Sequence, residues 1–157
     1  MWIRTAAALA LIATVATAAP AQAPKLPGFI SAVKTTIAPT TLKPGSKATI
    51  TVMITMATGY HIYSTDPGDE FAIATELTPL KAVGITYGKA VWPKPTLHEK
   101  VRIHEGTAVV TIPITVAKTA KPGTLKIGAS IKAQGCNETA CLPPDTFSTN
   151  TTVTVGK

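Results

Sequence analysis

An alternation of apolar and polar residues over residues 47–56 constrains the fold more than any other stretch of the chain. One side of the extended segment carries Ile50, Val52, Ile54 and Met56, and the other carries Thr49, Thr51 and Thr55. Because successive side chains of a strand point to opposite faces, this pattern predicts a strand with one buried face. Residues 106–116 alternate in the same way, through Ala108, Val110, Ile112 and Ile114.

The rest of the chain is typical of short strands separated by turns. Val, Ile and Thr are abundant, 13 Pro and 11 Gly interrupt the apolar runs, and no helical period follows the N-terminus. We predict about eight strands, near residues 29–37, 47–56, 60–63, 75–80, 85–92, 106–116, 125–133 and 147–155. This spacing indicates an all-β fold, an antiparallel β-sandwich.

Proline and glycine mark the connections between these strands. Pro44 and Gly45 occupy the positions that a type II turn requires, just before the strand at 47–56. Gly59 allows a bend into the aromatic segment that follows it. Pro93 and Pro95 exclude a central strand between residues 93 and 100.

The N-terminus predicts export. Arg4 is followed by an apolar run at residues 6–15, and Ala16 and Ala18 form a site for signal cleavage. We therefore expect a signal peptide at residues 1–18, a flexible Pro-rich lead at 19–28, and one domain at 29–157. The mature protein should lie in the periplasm, where disulfides form, or be secreted where there is no outer membrane.

Composition excludes two classes of partner. The formal charge is +7, but the basic residues are scattered and aromatic residues make up only 5% of the chain, so we expect no nucleic-acid binding. No second apolar run is long enough for a membrane span, so we expect no stable membrane insertion of the mature chain.

The only two cysteines, Cys136 and Cys141, lie in one short loop that ends in Pro143 and Pro144. A disulfide across about six residues stabilises a fold by roughly 2 kcal/mol, less than a bridge across a long loop. An accessible pair of this kind also suits thiol–disulfide exchange, but Glu138 between the cysteines would raise a thiol pKa. Spacing alone leaves a structural disulfide and a redox-active pair about equally favoured. The three histidines lack metal-ligand spacing near the pair, so we expect no metal and no cofactor.

Three motifs in order resemble those of one known family. Residues 59–69 contain Gly-Tyr-His-Ile-Tyr and then Asp-Pro-Gly-Asp, residues 91–95 read Val-Trp-Pro-Lys-Pro, and residues 134–144 read Gln-Gly-Cys-Asn-Glu-Thr-Ala-Cys-Leu-Pro-Pro. Together they resemble the N-terminal periplasmic domain of DsbD-type thiol:disulfide interchange proteins. The resemblance implies an immunoglobulin-like β-sandwich and a protein-disulfide reductase activity.

The resemblance also implies roles for individual residues. Cys136 and Cys141 would be the catalytic pair: a reductant's thiolate would attack Cys141, and Cys136 would resolve the exchange. A cap loop at residues 93–100 would shield the sulfurs with Leu97 and His98. The implied partners are a thioredoxin-like or membrane-embedded thiol reductant and oxidised exported proteins.

Three further expectations concern the length of the chain, two residues of the first motif, and the alternative function. Full-length family proteins continue into transmembrane and thioredoxin-like domains, whereas this chain ends at Lys157, so we expect a free-standing module. We interpret His61 and Tyr63 as packing residues of a short strand, in preference to catalytic groups. The alternative function is a non-catalytic binding sandwich in which the bond between Cys136 and Cys141 is only structural.

Overall fold

Twelve β-strands and no helix make up the part of the chain that the computed structural model describes, residues 25–157. The strands are β1 (Ile30–Ala38), β2 (Thr41–Leu42), β3 (Lys47–Met56), β4 (His61–Tyr63), β5 (Glu76–Pro79), β6 (Ile85–Tyr87), β7 (Thr96–His98), β8 (Val101–Glu105), β9 (Thr107–Val116), β10 (Gly123–Ala133), β11 (Gly135–Cys136) and β12 (Asp145–Val155). The predicted signal peptide at residues 1–18 and most of the predicted lead lie outside the described residues. Within the described range, no helix could cross a membrane.

Two four-stranded sheets form the body of the domain. The first has the strand order β1-β3-β9-β6, and the second has the order β2-β12-β10-β5. Neighbouring strands run antiparallel, apart from β2, which pairs parallel to β12. The two sheets form an immunoglobulin-like antiparallel β-sandwich, as predicted.

The core lies between the two sheets and is built by the alternation seen in the sequence. In β3, Ile50, Val52 and Ile54 are fully buried, and the intervening threonines are exposed or half-buried. Strands β9, β10 and β12 contribute further buried side chains: Val110, Ile112, Ile127, Ile131, Phe147 and Val153. Burying an aliphatic side chain of this size contributes about 1.5–3 kcal/mol, so apolar packing dominates the stability of the body.

The one buried hydrogen bond between hydroxyl groups in the described residues links β1 of the first sheet to β12 of the second. Thr35 Oγ1 in β1 donates to Thr149 Oγ1 in β12 over 2.9 Å. Both side chains are buried, so the hydrogen bond offsets the cost of removing their hydroxyl groups from water.

A third sheet of short strands, with the order β11-β4-β8-β7, continues from one end of the sandwich. Strand β4 follows β3 through a turn at Gly59, whose φ of 79° fits the bend expected there. Strands β7 and β8 form a hairpin closed by Glu99 and Lys100. Strand β11 is the start of the cysteine loop, so this small sheet determines where the disulfide lies.

The structure confirms the predicted turn before β3 and refines the strand bounds. Ser46 N donates to Lys43 O over 3.0 Å, and Gly45 has a φ of 81°, as a type II turn requires. The predicted strand at 85–92 is shorter, because regular pairing stops at Tyr87 and only Val91 bridges to β9. Four strands that the sequence did not predict, β2, β7, β8 and β11, have at most five residues each.

Candidate functional site

The cysteine loop, residues 134–144, connects β10 to β12 and carries a disulfide. Cys136 and Cys141 are bonded, with an S–S distance of 2.07 Å. Strand β11 places Cys136 beside His61 of β4, because these two residues are directly paired across the strands. The disulfide therefore lies against the third sheet, at one end of the sandwich.

Hydrogen bonds hold the cysteine loop independently of the disulfide. Leu142 N donates to Gly135 O over 2.8 Å, and Asn137 N donates to Ala140 O over 2.9 Å. The Asn137 side-chain oxygen accepts hydrogen bonds from Thr139 N and Ala140 N, both over 2.9 Å. These bonds do not involve sulfur, so the loop keeps its main contacts if the disulfide opens.

The two sulfur-bearing residues have opposite exposure. Cys136 is 2% exposed and belongs to the core of the site, whereas Cys141 is exposed. An incoming thiolate must approach a sulfur along the axis of the S–S bond, so only an accessible sulfur can be attacked directly. The geometry favours Cys141 as the attacked residue and Cys136 as the leaving group.

Tyr63 is in contact with both sulfurs. Its hydroxyl lies 3.5 Å from Cys136 Sγ and 3.6 Å from Cys141 Sγ, within the range of weak hydrogen bonds to sulfur. Strand β4 presents Tyr63 toward the cysteine loop. The next residue extends the pairing of β4 with β8, because Ser64 N donates to Arg102 O over 2.9 Å. The hydroxyl can donate to whichever sulfur gains negative charge.

A groove of about 260 Å³, here called the sulfur groove, opens over the disulfide. Its walls come from β4, the hairpin of β7 and β8, and the cysteine loop. The lining residues are His61, Tyr63, His98, Glu99, Val101, Ile103, Cys136, Asn137, Glu138 and Cys141. The hairpin of β7 and β8 thus borders the disulfide on one side.

The two residues predicted for the cap take different places in this hairpin. His98 lines the sulfur groove, and its ring lies 5.6 Å from that of His61. Leu97 is on the same strand but is 69% exposed, and it does not line the groove. Leu97 leaves an apolar side chain in solvent on the outside of the hairpin.

Burial lowers the pKa of His61, and the neighbouring His98 lowers it further. The carboxylates of Glu138 and Glu105 oppose this effect, since negative charge favours the protonated ring. The lowered pKa means that His61 is neutral at pH 7, so it can accept or donate a hydrogen bond in the groove without adding a charge.

The Asp-Pro-Gly-Asp segment, residues 66–69, forms a loop that is bound to β8 through Arg102. Arg102 forms an ion pair with Asp66 over 2.7 Å, and its Nε donates to Asp66 O over 2.6 Å. Gly68 lies so close to the Arg102 side chain that an added Cβ would be 3.0 Å from the guanidinium. No three His, Cys, Asp or Glu side chains in residues 25–157 are arranged to hold a metal ion.

The tryptophan of the Trp-Pro motif packs against β8, one strand of the hairpin. Trp92 stacks on His104 of β8, with ring centroids 5.4 Å apart and ring planes 20° apart. His104 is buried, and burial lowers its pKa. This stack is a packing contact that fixes β8, and through β8 it positions both the hairpin and β4.

The structure brings together the predicted pair of cysteines and His98, and it adds two residues that the sequence analysis interpreted as packing residues. His61 and Tyr63 are half-buried residues of a short strand, as expected, but both line the sulfur groove and Tyr63 contacts the sulfurs. The missed signal was the aromatic character of β4. A phenol hydroxyl and an imidazole two residues apart lie on the same face of a strand, and such polar aromatic groups indicate a functional surface.

Comparison with known proteins gives one family and several solved structures. The model of the family described as thiol:disulfide interchange protein DsbD, N-terminal, matches residues 30–152. The N-terminal periplasmic domain of ScsB from Proteus mirabilis is 15% identical with a TM-score of 0.48, over 74% of this chain and 43% of that chain. This chain thus spans less than half the length of that relative.

Two further structures are similar over much of the chain. The reduced N-terminal domain of Neisseria meningitidis DsbD is 17% identical with a TM-score of 0.35, over 67% of this chain and 80% of that chain. A family 123 glycoside hydrolase from Clostridium perfringens is 15% identical with a TM-score of 0.38, over 72% of this chain and 22% of that chain. No curated protein sequence matches the chain.

Proposed function

Because the chain belongs to the family of N-terminal domains of DsbD-type thiol:disulfide interchange proteins, we propose that it passes reducing equivalents to exported proteins through Cys136 and Cys141. The electrons come from a thioredoxin-like or membrane-embedded thiol reductant. One observation carries this proposal: a disulfide with one buried and one exposed cysteine lies in a groove, in a loop that does not depend on it.

The reductant delivers two electrons through a mixed disulfide. Its thiolate attacks Cys141 Sγ, the bond between the two cysteines breaks, and Cys136 leaves as a thiolate that then takes a proton from water. A second thiol of the reductant attacks the reductant's own sulfur in the mixed disulfide and releases Cys141. The reductant ends as a disulfide, and this chain ends with two thiols.

Delivery to an exported protein reverses these steps. The Cys141 thiolate attacks a disulfide of the substrate, and one substrate sulfur leaves as a thiolate and is protonated. Cys136 then attacks Cys141 Sγ, which expels the second substrate sulfur and restores the bond between Cys136 and Cys141. The substrate gains two electrons and two protons in all.

Tyr63 and His98, which both line the sulfur groove, assist this chemistry. The Tyr63 hydroxyl donates a hydrogen bond to Cys136 as that sulfur gains charge, which makes Cys136 a better leaving group. His98 and the rest of the cap loop at residues 93–100 limit access to Cys141 until a partner binds. Leu97, on the exposed side of the hairpin, gives the partner an apolar contact.

The exchange takes place in the periplasm. A signal peptide at residues 1–18 directs export, residues 19–28 form a lead, and residues 29–157 form the exchange domain. The same compartment keeps disulfides oxidised, so the pair needs a dedicated source of electrons.

A trapping experiment tests the roles of the two cysteines. The Cys136→Ser variant is mixed with a thioredoxin that retains only its nucleophilic cysteine, activated as a mixed disulfide with thionitrobenzoate. The exposed Cys141 thiolate should displace thionitrobenzoate and join the two proteins, with release of the coloured anion. The matched Cys141→Ser variant, whose remaining thiol is buried, should react at least about tenfold more slowly, because thiol reactivity follows access.

Equal rates for the two variants would contradict the assignment of Cys141 as the outward cysteine. Failure of both variants to react, with each shown to be folded by its unfolding transition, would favour the structural disulfide instead.

A further inference from the structure

The disulfide lies in a surface that carries the opposite charge to the rest of the domain. The chain has a formal charge of +7, from 15 Lys and Arg and eight Asp and Glu. Three of those eight acids, Glu99, Glu105 and Glu138, line the sulfur groove or the groove next to it. The adjacent groove, here called the turn groove, has a volume of about 470 Å³ and shares His61, His98, Ile103 and Glu138 with the sulfur groove.

No Lys or Arg lines either groove in the described chain; the exposed Lys100 is next to Glu99 in the hairpin turn but is not a lining residue, so the walls carry three carboxylates and no cationic side chain of Lys or Arg. Within residues 25–157 the ion pairs are those of Arg102 with Asp66 and Lys132 with Glu76, and neither involves the groove acids. The three side chains are exposed, and the charges of Glu138 and Glu105 are felt at the His61 ring. At neutral pH the entrance to the disulfide is therefore negative.

A negative entrance is unfavourable for the chemistry that must take place there. The attacking species is a thiolate, an anion, and it has to come into contact with Cys141 in a groove lined by Glu99 and Glu138, with Glu105 in the adjoining turn groove. The carboxylates of the grooves repel a thiolate that has no positive charges around it. At moderate salt this repulsion acts over roughly 10 Å, beyond which it is screened. A thiolate surrounded by Lys or Arg meets attraction instead, and the same positive charges lower the thiol pKa and so supply the thiolate.

We infer that the acidic groove formed by Glu99, Glu105 and Glu138 is a docking surface that selects a reducing partner with a positively charged surface around its reactive thiol, and that it disfavours anionic thiols. This inference rests on the proposed function and specifies its partner. Charges at the rim of an interface act mainly on the association rate and its salt dependence. The selectivity therefore lies in the rate of exchange, and the equilibrium is unchanged.

Two synthetic peptides provide the probes. Each has five residues and one central cysteine, which is flanked by two lysines in one peptide and by two glutamates in the other. The rate at which each peptide reduces the disulfide is measured for the wild-type domain and for the triple variant Glu99→Gln, Glu105→Gln and Glu138→Gln. The two peptides differ in thiol pKa, but that difference cancels when the lysine-to-glutamate rate ratio is compared between the two proteins.

We expect the rate ratio of the wild type to exceed that of the triple variant by about tenfold at low salt, which is the lower end of electrostatic steering. The excess should shrink toward one at about 0.5 M salt, where the charges are screened over a few ångströms. A control variant with Glu70→Gln, Glu76→Gln and Asp145→Asn loses the same three charges outside both grooves, and it should keep the ratio of the wild type.

Equal ratios in the wild type and the groove variant would overturn the inference while leaving the exchange function intact. A ratio that falls equally in the control variant would also overturn it, since net charge would then be the cause. If neither peptide nor a neutral thiol such as 2-mercaptoethanol reduces the disulfide, the exchange function fails and this inference fails with it.

Discussion

At the scale of single residues, the site depends on a difference between two bonded cysteines. The sequence gives Cys136 and Cys141 the same chemistry, and their spacing leaves a structural and a reactive role equally favoured. The structure separates them, because β11 buries Cys136 against β4 while Cys141 lies on the exposed side of the loop. The role of Tyr63 could not be predicted from local sequence, since the contact joins residues 73 positions apart.

Loss of the Tyr63 hydroxyl should slow disulfide opening. Tyr63→Phe removes the hydrogen bond to Cys136 Sγ, and a bond of this kind contributes about 0.5–1.5 kcal/mol. We expect reduction by dithiothreitol at neutral pH to slow roughly two- to thirteenfold. The rate can be followed by quenching samples with a maleimide that shifts reduced protein on a gel.

Tyr60→Phe is the matched control for that experiment. Tyr60 lines the turn groove and packs against the core, and its hydroxyl is not hydrogen-bonded to either sulfur. The Tyr60→Phe substitution should leave the rate of reduction by dithiothreitol unchanged. A Tyr63→Phe rate equal to that of the wild type would show that the hydroxyl does not assist the leaving sulfur.

At the scale of elements, the long strands were predictable and the short ones were not. Strands β3 and β9 each span ten residues of regular alternation, so their buried faces could be identified from the sequence. Strands β8 and β11 are short, and both pair with β4, which is distant from them in sequence; β7 is an edge strand that pairs with β8 in a hairpin. These short strands build the third sheet, so the architecture of the site was harder to predict than that of the body.

Gly135 shows how closely the cysteine loop is packed. An added Cβ would overlap the ring of Phe29, which is itself only 1% exposed. Gly135→Ala should therefore lower the free energy of unfolding by about 2 kcal/mol, as overpacking of a rigid core does. Urea unfolding followed by circular dichroism measures the change.

The suitable control is Gly28→Ala, next to the same phenylalanine. An added Cβ at Gly28 would meet no atom within 4 Å, so the substitution should be close to neutral. If the two variants had equal stability, the contact between Phe29 and the cysteine loop would not be rigid.

At the scale of the whole molecule, the fold and the reactive site are separable. The core between the two four-stranded sheets includes neither Cys136 nor Cys141, although Leu142 of the cysteine loop packs against it. Composition and periodicity were sufficient to predict an antiparallel sandwich, because a buried face on every long strand requires a second sheet. The position of the groove acids could not be predicted in this way, since Glu105 and Glu138 come from segments that meet only in the folded domain.

This separation is what an exchange protein needs, because the fold must survive repeated opening of its disulfide. The hydrogen bonds within the cysteine loop, together with a core that contains neither cysteine, indicate that the reduced domain stays folded. A structural disulfide of an exported protein resists reduction, with a potential below about −300 mV, whereas an exposed exchange disulfide has a more oxidising potential.

The reduction potential of the bond between Cys136 and Cys141 tests the central claim most directly. The domain is equilibrated in buffers of reduced and oxidised dithiothreitol, and the fraction of free thiols is measured by alkylation. The account predicts a potential well above roughly −300 mV. A potential below that value would identify the bond as a structural disulfide and contradict the exchange function.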